Sequence, residues 1–273
     1  MSLTKVFFLS SEIEPFSNTC SLSNFSFDFG LEIKNNKDVD IRMCQPKYGY
    51  ISERKYILRE VIRLKDLSID FAEGEKIANL KSAFIPKSRV QVYFAEGEDM
   101  FESVTDLLYK SKNGRLFNEN GIRFAFFCKS VLFSLKKLFW APEVVVSNDW
   151  QTSFIPLLGK TVFSKDDFYS DIKYVHIVHS YNKNINLDQE SFKSLNLLEQ
   201  VGDNFDSFLN PVKYADFTVI LNDVNAPIID KINKDSASKN VLKGAKHKVY
   251  NIDYTSLNYK DEINNVIKDI RSL

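Results

Sequence analysis

Four short runs of this chain are apolar or β-branched at almost every position: Val6-Phe7-Phe8-Leu9, Val144-Val145-Val146, Tyr174 to Val178 and Phe217 to Leu221. A half-exposed strand alternates apolar and polar residues, because successive side chains point to opposite faces. Runs without alternation are dry on both faces, the condition of a parallel strand covered by helices. Helical spacing lies between them. Asn120 to Phe139 carries Phe124, Phe127, Val131, Leu135 and Leu138 three and four residues apart, one apolar stripe. Thr152 to Val162 and Asp223 to Ile232 follow strands directly and read as the helices of βα units.

Strand alternating with helix predicts an α/β fold: a single Rossmann-like, doubly wound, mostly parallel sheet with helices on both faces. Tyr56 to Phe94 breaks the pattern. Tyr56 to Leu64 and Val90 to Phe94 read as half-exposed strands, an inserted antiparallel hairpin region or a sheet edge. Tyr259 to Ile270 sets Ile263, Val266, Ile267 and Ile270 on one helical face. The expected organisation is one domain over residues 1–255, with residues 256–273 as a helix packing back on it.

Charge narrows the partners. The 36 Lys and Arg balance 36 Asp and Glu, so no general field attracts nucleic acid or an anionic membrane. Lys239, Lys243, Lys246 and Lys248 form a basic stretch that reads as solvated surface. No apolar run reaches the roughly 20 residues that span a bilayer, and Met1-Ser2-Leu3-Thr4-Lys5 does not open like a signal peptide. Cys20, Cys44 and Cys128 are widely separated and contain no C-x-x-C pair, so neither a disulfide framework nor a zinc site is expected. These features predict a reduced, cytoplasmic chain. His176 and His179 resemble a metal pair, but residues three apart on a strand face opposite ways. No metal is therefore expected, and His176 reads as core. With 9 glycines and neither G-x-G-x-x-G nor G-x-x-x-x-G-K-[ST], the chain offers no glycine cradle for a phosphate. No cofactor is expected.

In a doubly wound sheet, ligands bind beyond the carboxyl ends of the strands. The residues there are Glu12, Ser17, Asn18 and Thr19 after the first run, and Asn148, Asp149, Trp150 and Gln151 after the second. His179, Ser180 and Tyr181 follow the third, and Asn222 and Asp223 the fourth. A carboxylate, amides and an imidazole on one rim suit a polyhydroxy ligand. Asp149 is also placed to cap the helix that starts near Trp150.

Several segments resemble the N-terminal half of bacterial glycogen synthases and plant starch synthases. Lys5-Val-Phe-Phe-Leu-Ser-Ser-Glu-Ile-Glu-Pro-Phe16 is similar to that family's opening strand and loop, and Gln45-Pro-Lys-Tyr-Gly49 to its L-P-x-Y-G. Asn120-Gly-Ile-Arg-Phe-Ala-Phe-Phe127 resembles its N-x-x-R-F-A-F-F helix. Val146-Ser-Asn-Asp-Trp-Gln-Thr152 resembles H-x-[HN]-D-W-Q-T, Val178-His179-Ser180 its I-H-N, and Lys213-Tyr-Ala-Asp216 its Y-A-D. The resemblance implies the GT-B fold and metal-free, retaining transfer of glucose from ADP-glucose to an α-1,4-glucan. It also implies roles: His179 bonding the transferred glucose, Asp149 orienting sugar hydroxyls, Glu12 supporting the loop, and Asn18, Thr19, Asn148, Trp150, Gln151 and Ser180 lining the substrate.

The departures bear on activity. Where the family has K-T-G-G-L beside the donor diphosphate, this chain has Asn18-Thr19-Cys20-Ser21-Leu22, and the family's following aspartate is Asn24. A charge is lost, and both glycines gain side chains that limit close backbone approach. The sequence stops shortly after Val249-Tyr-Asn-Ile-Asp253, similar to the family's crossover into its C-terminal, donor-binding domain. The expectation is an acceptor-side half, inactive or weakly active alone, with a glucan-binding or regulatory role. Its expected partners are an α-glucan, a nucleotide sugar such as ADP-glucose, a second copy of the chain, or a separate protein supplying the C-terminal domain. Two alternatives stand beside this: an active half that needs such a domain, or an α/β scaffold repurposed for an unrelated ligand or protein.

Overall fold

The computed structural model describes residues 3–71, 74–97, 99–102, 107–182, 186–187, 189–197 and 205–273. Strands β1 (Thr4–Leu9), β2 (Val39–Pro46), β3 (Arg59–Glu60), β4 (Leu67–Phe71), β5 (Gly74–Phe84), β6 (Gln91–Gly97), β7 (Val144–Asn148), β8 (Lys173–Val178), β11 (Phe217–Asp223) and β12 (His247–Ile252) form one sheet. Strands β9 (Asn186–Leu187) and β10 (Phe205–Asp206) pair separately and antiparallel. The helices are α1 (Ser21–Lys34), α2 (Glu53–Tyr56), α3 (Asn120–Lys137), α4 (Phe154–Thr161), α5 (Gln189–Lys193), α6 (Leu209–Tyr214), α7 (Ile229–Lys234), α8 (Ser236–Gly244) and α9 (Tyr259–Arg271).

The sheet order is β12-β11-β8-β7-β1-β2-β6-β5-β3, with β4 also on β5. Every pair from β12 to β6 is parallel. The first three parallel strands run outward from β1 in one direction, and the next four start at β7 and run in the other. This is the doubly wound order, with its switch point between β1 and β7. Right-handed crossovers on the two sides of that point place their helices on opposite faces. One layer holds α1 against α9; the other holds α3 against α4 and α5, and α6 against α4 and α8.

The non-alternating runs are dry as predicted: Val6 to Leu9, Val144 to Val146 and Tyr174 to Val178 are all buried. Helix α3 is more enclosed than a single stripe implies. Phe126, Cys128 and Leu132 are buried together with Phe124, Phe127, Val131 and Leu135, because α4, α5 and β4 pack on the helix as well as β6. Phe71 of β4 meets Phe126 edge-on at 5.4 Å. Ile263, Val266, Ile267 and Ile270 of α9 are fully or almost fully buried, each stabilising the docked helix by about 1.5–3 kcal/mol. Lys260 beside Asp28 and Glu32, and Arg271 on Asp38, add ion pairs at its edge.

Three local readings are corrected. Tyr56 to Leu64 is not a strand: Tyr56 ends α2, Ile57 turns left-handed at φ 54°, β3 has only two residues, and Ile62–Leu64 is a 3-10 turn. Val90 to Phe94 is not half-exposed, because β6 lies inside the sheet between β2 and β5. After β11, the chain runs on as strand to Asp223, and α7 begins only at Ile229. There Asn222 Oδ1 accepts the N–H groups of Ile228 and Ile229.

Candidate active site

At the switch point the strands β1, β7 and β8 deliver Glu12, Asp149 and His179 to one rim. Asp149 follows β7 with φ 63°, a left-handed conformation that a non-glycine residue adopts at a cost of about 1–3 kcal/mol. Its carboxylate makes no cap bond to the turn Trp150–Thr152, so the capping role is corrected. It reaches to the end of β8 instead. Oδ1 accepts the N–H groups of His179 at 3.2 Å and Ser180 at 3.0 Å, and Oδ2 accepts the Ser180 hydroxyl at 2.7 Å. Burial raises the Asp149 carboxyl to about 6, against the opposing pull of these bonds.

His179 is half-buried, with the Phe25 ring edge-on at 4.6 Å. Burial pushes its imidazole down to about 3, so the ring is neutral at pH 7. The Tyr254 hydroxyl lies 3.3 Å from Nδ1, and burial keeps that phenol protonated. A neutral imidazole has one donor and one acceptor nitrogen. The tautomer in which Tyr254 donates to Nδ1 puts the hydrogen on Nε2; in either tautomer Nε2 has no hydrogen-bond partner among the described residues.

Glu12 is fully buried. It accepts the Thr19 N–H, the Thr19 hydroxyl at 2.8 Å, the Cys20 thiol at 3.2 Å and the Tyr109 hydroxyl at 2.7 Å. The Ser11 hydroxyl lies 2.7 Å from the same Tyr109 oxygen. The carboxylate therefore ties the Asn18–Ser21 loop, at the start of α1, to the segment before α3. Burial, then the neighbouring Glu12 carboxylate, pushes the Cys20 thiol up to about 12.

The remaining predicted site residues divide. Ser180 is on the rim and exposed. Asn18 is exposed, with Oδ1 accepting the Ser23 hydroxyl at 2.7 Å, and the Thr19 side chain is engaged by Glu12. Asn148 lies deeper: it is fully buried, and Nδ2 donates to Ser26 at 3.2 Å and Ser10 at 3.4 Å. Trp150 is buried edge-on to Tyr109 and Phe124, and Gln151 is buried behind it. His176 is core, 2.9 Å from the Ser147 hydroxyl through Nδ1. Behind the Asp149 clamp, Asp149, His176, Ser180, Asn182 and Ser207 line a cavity of about 10 Å³, space for a single water. Among the described residues no cluster of His, Cys, Asp and Glu could hold a metal, and no helix is long and apolar enough to cross a membrane. Lys239, Lys243 and Lys246 are exposed, and Lys248 pairs with Asp269.

Sequence reasoning missed Tyr109 and Tyr254. Tyr109 sits outside every periodic run, and nothing local ties it to Glu12. Tyr254 directly follows the Val249 to Asp253 segment, and that adjacency was the available signal.

A profile of the starch synthase catalytic domain matches residues 5–265. The chain belongs to that family. Among curated relatives, the glycogen synthase of Chlorobaculum parvum is 31% identical over 221 residues, covering 78% of this chain and 44% of that protein. The glycogen synthase of Pelodictyon phaeoclathratiforme is 33% identical over 191 residues, covering 70% and 39%. The chain thus spans less than half the length of these relatives. The catalytic domain of starch synthase IV from Arabidopsis thaliana, solved with ADP and acarbose, superposes with a TM-score of 0.68 at 15% identity, over 89% of this chain and 49% of that one. That likeness establishes the shared fold, a starch-synthase-type α/β domain whose switch-point rim carries Glu12, Asp149 and His179.

Proposed function

We propose that this starch synthase-like chain supplies the acceptor-side half of a glucosyl-transfer site, binding an α-1,4-glucan and the sugar of ADP-glucose. One observation carries the reading. Asp149 holds the backbone that carries His179, and His179 Nε2 is left with no protein partner among the described residues. A buried polar atom without a partner costs about 1–3 kcal/mol, a cost that a sugar hydroxyl, which can donate or accept, would remove.

Phosphate-side chemistry is weaker. Asn18, Cys20 and Ser21 stand where the family has a lysine and two glycines, and Asn18 is engaged with Ser23. Loss of one preorganised group that stabilises developing charge costs about 10²–10³ in rate. The chain is therefore read as a weak transferase whose main capacity is glucan binding.

The test is transfer of labelled glucose from ADP-glucose to glycogen by the purified chain, with an Asp149→Ala, His179→Ala double variant as control. Incorporation slow but above the control supports the reading. Turnover as fast as that of a full-length glycogen synthase would refute the weak-transferase part. Failure to bind any maltooligosaccharide would refute the glucan part.

A further inference from the structure

Tyr50 follows β2, on the opposite side of β1 from Asp149 and His179, and is among the exposed large side chains at 42%. Its ring lies parallel to that of Tyr48, 6° between planes and 5.9 Å between centroids. Tyr48 is fully buried, and its hydroxyl donates to the Ser11 carbonyl at 2.9 Å, one residue before Glu12. Phe101 packs edge-on against it at 5.7 Å. Tyr50 is thus an exposed aromatic ring backed by a rigid one, and that rigid ring is anchored to the loop that carries Glu12.

Along the rim the order is His179 after β8, Asp149 after β7, Glu12 after β1 and Tyr50 after β2. Neighbouring strands lie about 4.8 Å apart, so the ends of these four strands span roughly 14 Å, the reach of a short oligosaccharide. The C–H faces of a pyranose ring stack on an aromatic face without a directional hydrogen bond, and a ring already held in place loses little freedom on binding.

We propose that Tyr50 is a stacking platform for a glucosyl residue of the α-glucan lying several units from the residue held at His179. This rests on the glucan reading above and adds a length preference to it: longer chains reach Tyr50, short ones do not.

Calorimetric titration of the full chain with maltotriose and with maltoheptaose tests the platform, using Tyr50→Ala and Tyr50→Phe. The expected result is tighter binding of maltoheptaose than of maltotriose by the unaltered chain. Tyr50→Ala should weaken maltoheptaose about threefold to tenfold, the range of one stacked aromatic contact, and leave maltotriose unchanged. Tyr50→Phe should restore the preference, because the ring and not the hydroxyl carries it. A length preference that survives in Tyr50→Ala overturns the platform alone, as does equal affinity of the unaltered chain for both sugars. If neither sugar binds the unaltered chain, the glucan reading falls and the platform with it.

Discussion

Ser180 closes on Asp149 twice, its N–H donating to Oδ1 at 3.0 Å and its hydroxyl to Oδ2 at 2.7 Å. The relationship joins the ends of β7 and β8 through a buried charge, and the segment carrying His179 is fixed by it.

Removing that carboxylate should loosen the rim before it unfolds the sheet. Asp149→Ala leaves two backbone N–H groups without their acceptor, at about 1–3 kcal/mol. Asp149→Asn keeps an acceptor for them and should cost less. Urea midpoints give the stability difference. Amide exchange at His179 and Ser180, faster in the alanine variant, locates it; unchanged exchange would show that the clamp does not hold the segment.

The same residues set a pH dependence. Burial holds His176 and His179 at about 3, against about 6.5 in an unfolded chain. The unfolded state then binds protons that the folded state refuses, so their stabilisation is present above pH 6.5 and is lost as pH falls. Asp149 acts in the opposite sense. Its folded carboxyl sits at about 6, so the native state takes the proton first and gains stability as pH falls from 6 towards 4. Two histidines against one aspartate leave a net loss between pH 6 and 5, at most about 1.4 kcal/mol per pH unit. His176→Gln should flatten that slope, measured as unfolding free energy across the window; an unchanged slope would remove His176 from the account.

Cys20 is exposed as a residue, yet its thiol is held near pKa 12 by burial and by Glu12. Thiols react as thiolates. Reaction with an aromatic disulfide reagent at pH 8 should run about 10²–10³ slower than for a free cysteine, and Glu12→Gln should speed it. A free-cysteine rate in the unaltered chain would show that the thiol does not rest on Glu12.

Gly49 is required by space and not by its dihedral angles. A Cβ there would stand 1.8 Å from the Glu102 carbonyl oxygen, and backbone cannot yield as a side-chain tip does. Gly49→Ala should cost about 1–3 kcal/mol or more, read from the denaturant midpoint. A neutral outcome would mean that the turn before Tyr50 is not packed against Glu102.

Much of the architecture was legible. Val6 to Leu9, Val144 to Val146 and Tyr174 to Val178 announced buried parallel strands because their lack of alternation is itself the signature of two covered faces. The strand-end rule then brought Glu12, Asp149 and His179 forward. Legibility failed where local signal was ambiguous. Tyr56 to Leu64 has strand-forming residues but is broken by the left-handed Ile57, and Asp149 has the composition of a cap but bonds 30 and 31 residues away.

What the sequence determined by itself is the order of elements and the candidates at their ends, since both follow from periodicity along the chain. The partnerships were decided only by tertiary structure: Asp149 with Ser180, Tyr109 with Glu12 across 97 residues, and Tyr254 with His179 across 75. A hydrogen bond depends on distances of about 3 Å between atoms, and periodicity carries no record of distances that arise when separate strands are brought side by side.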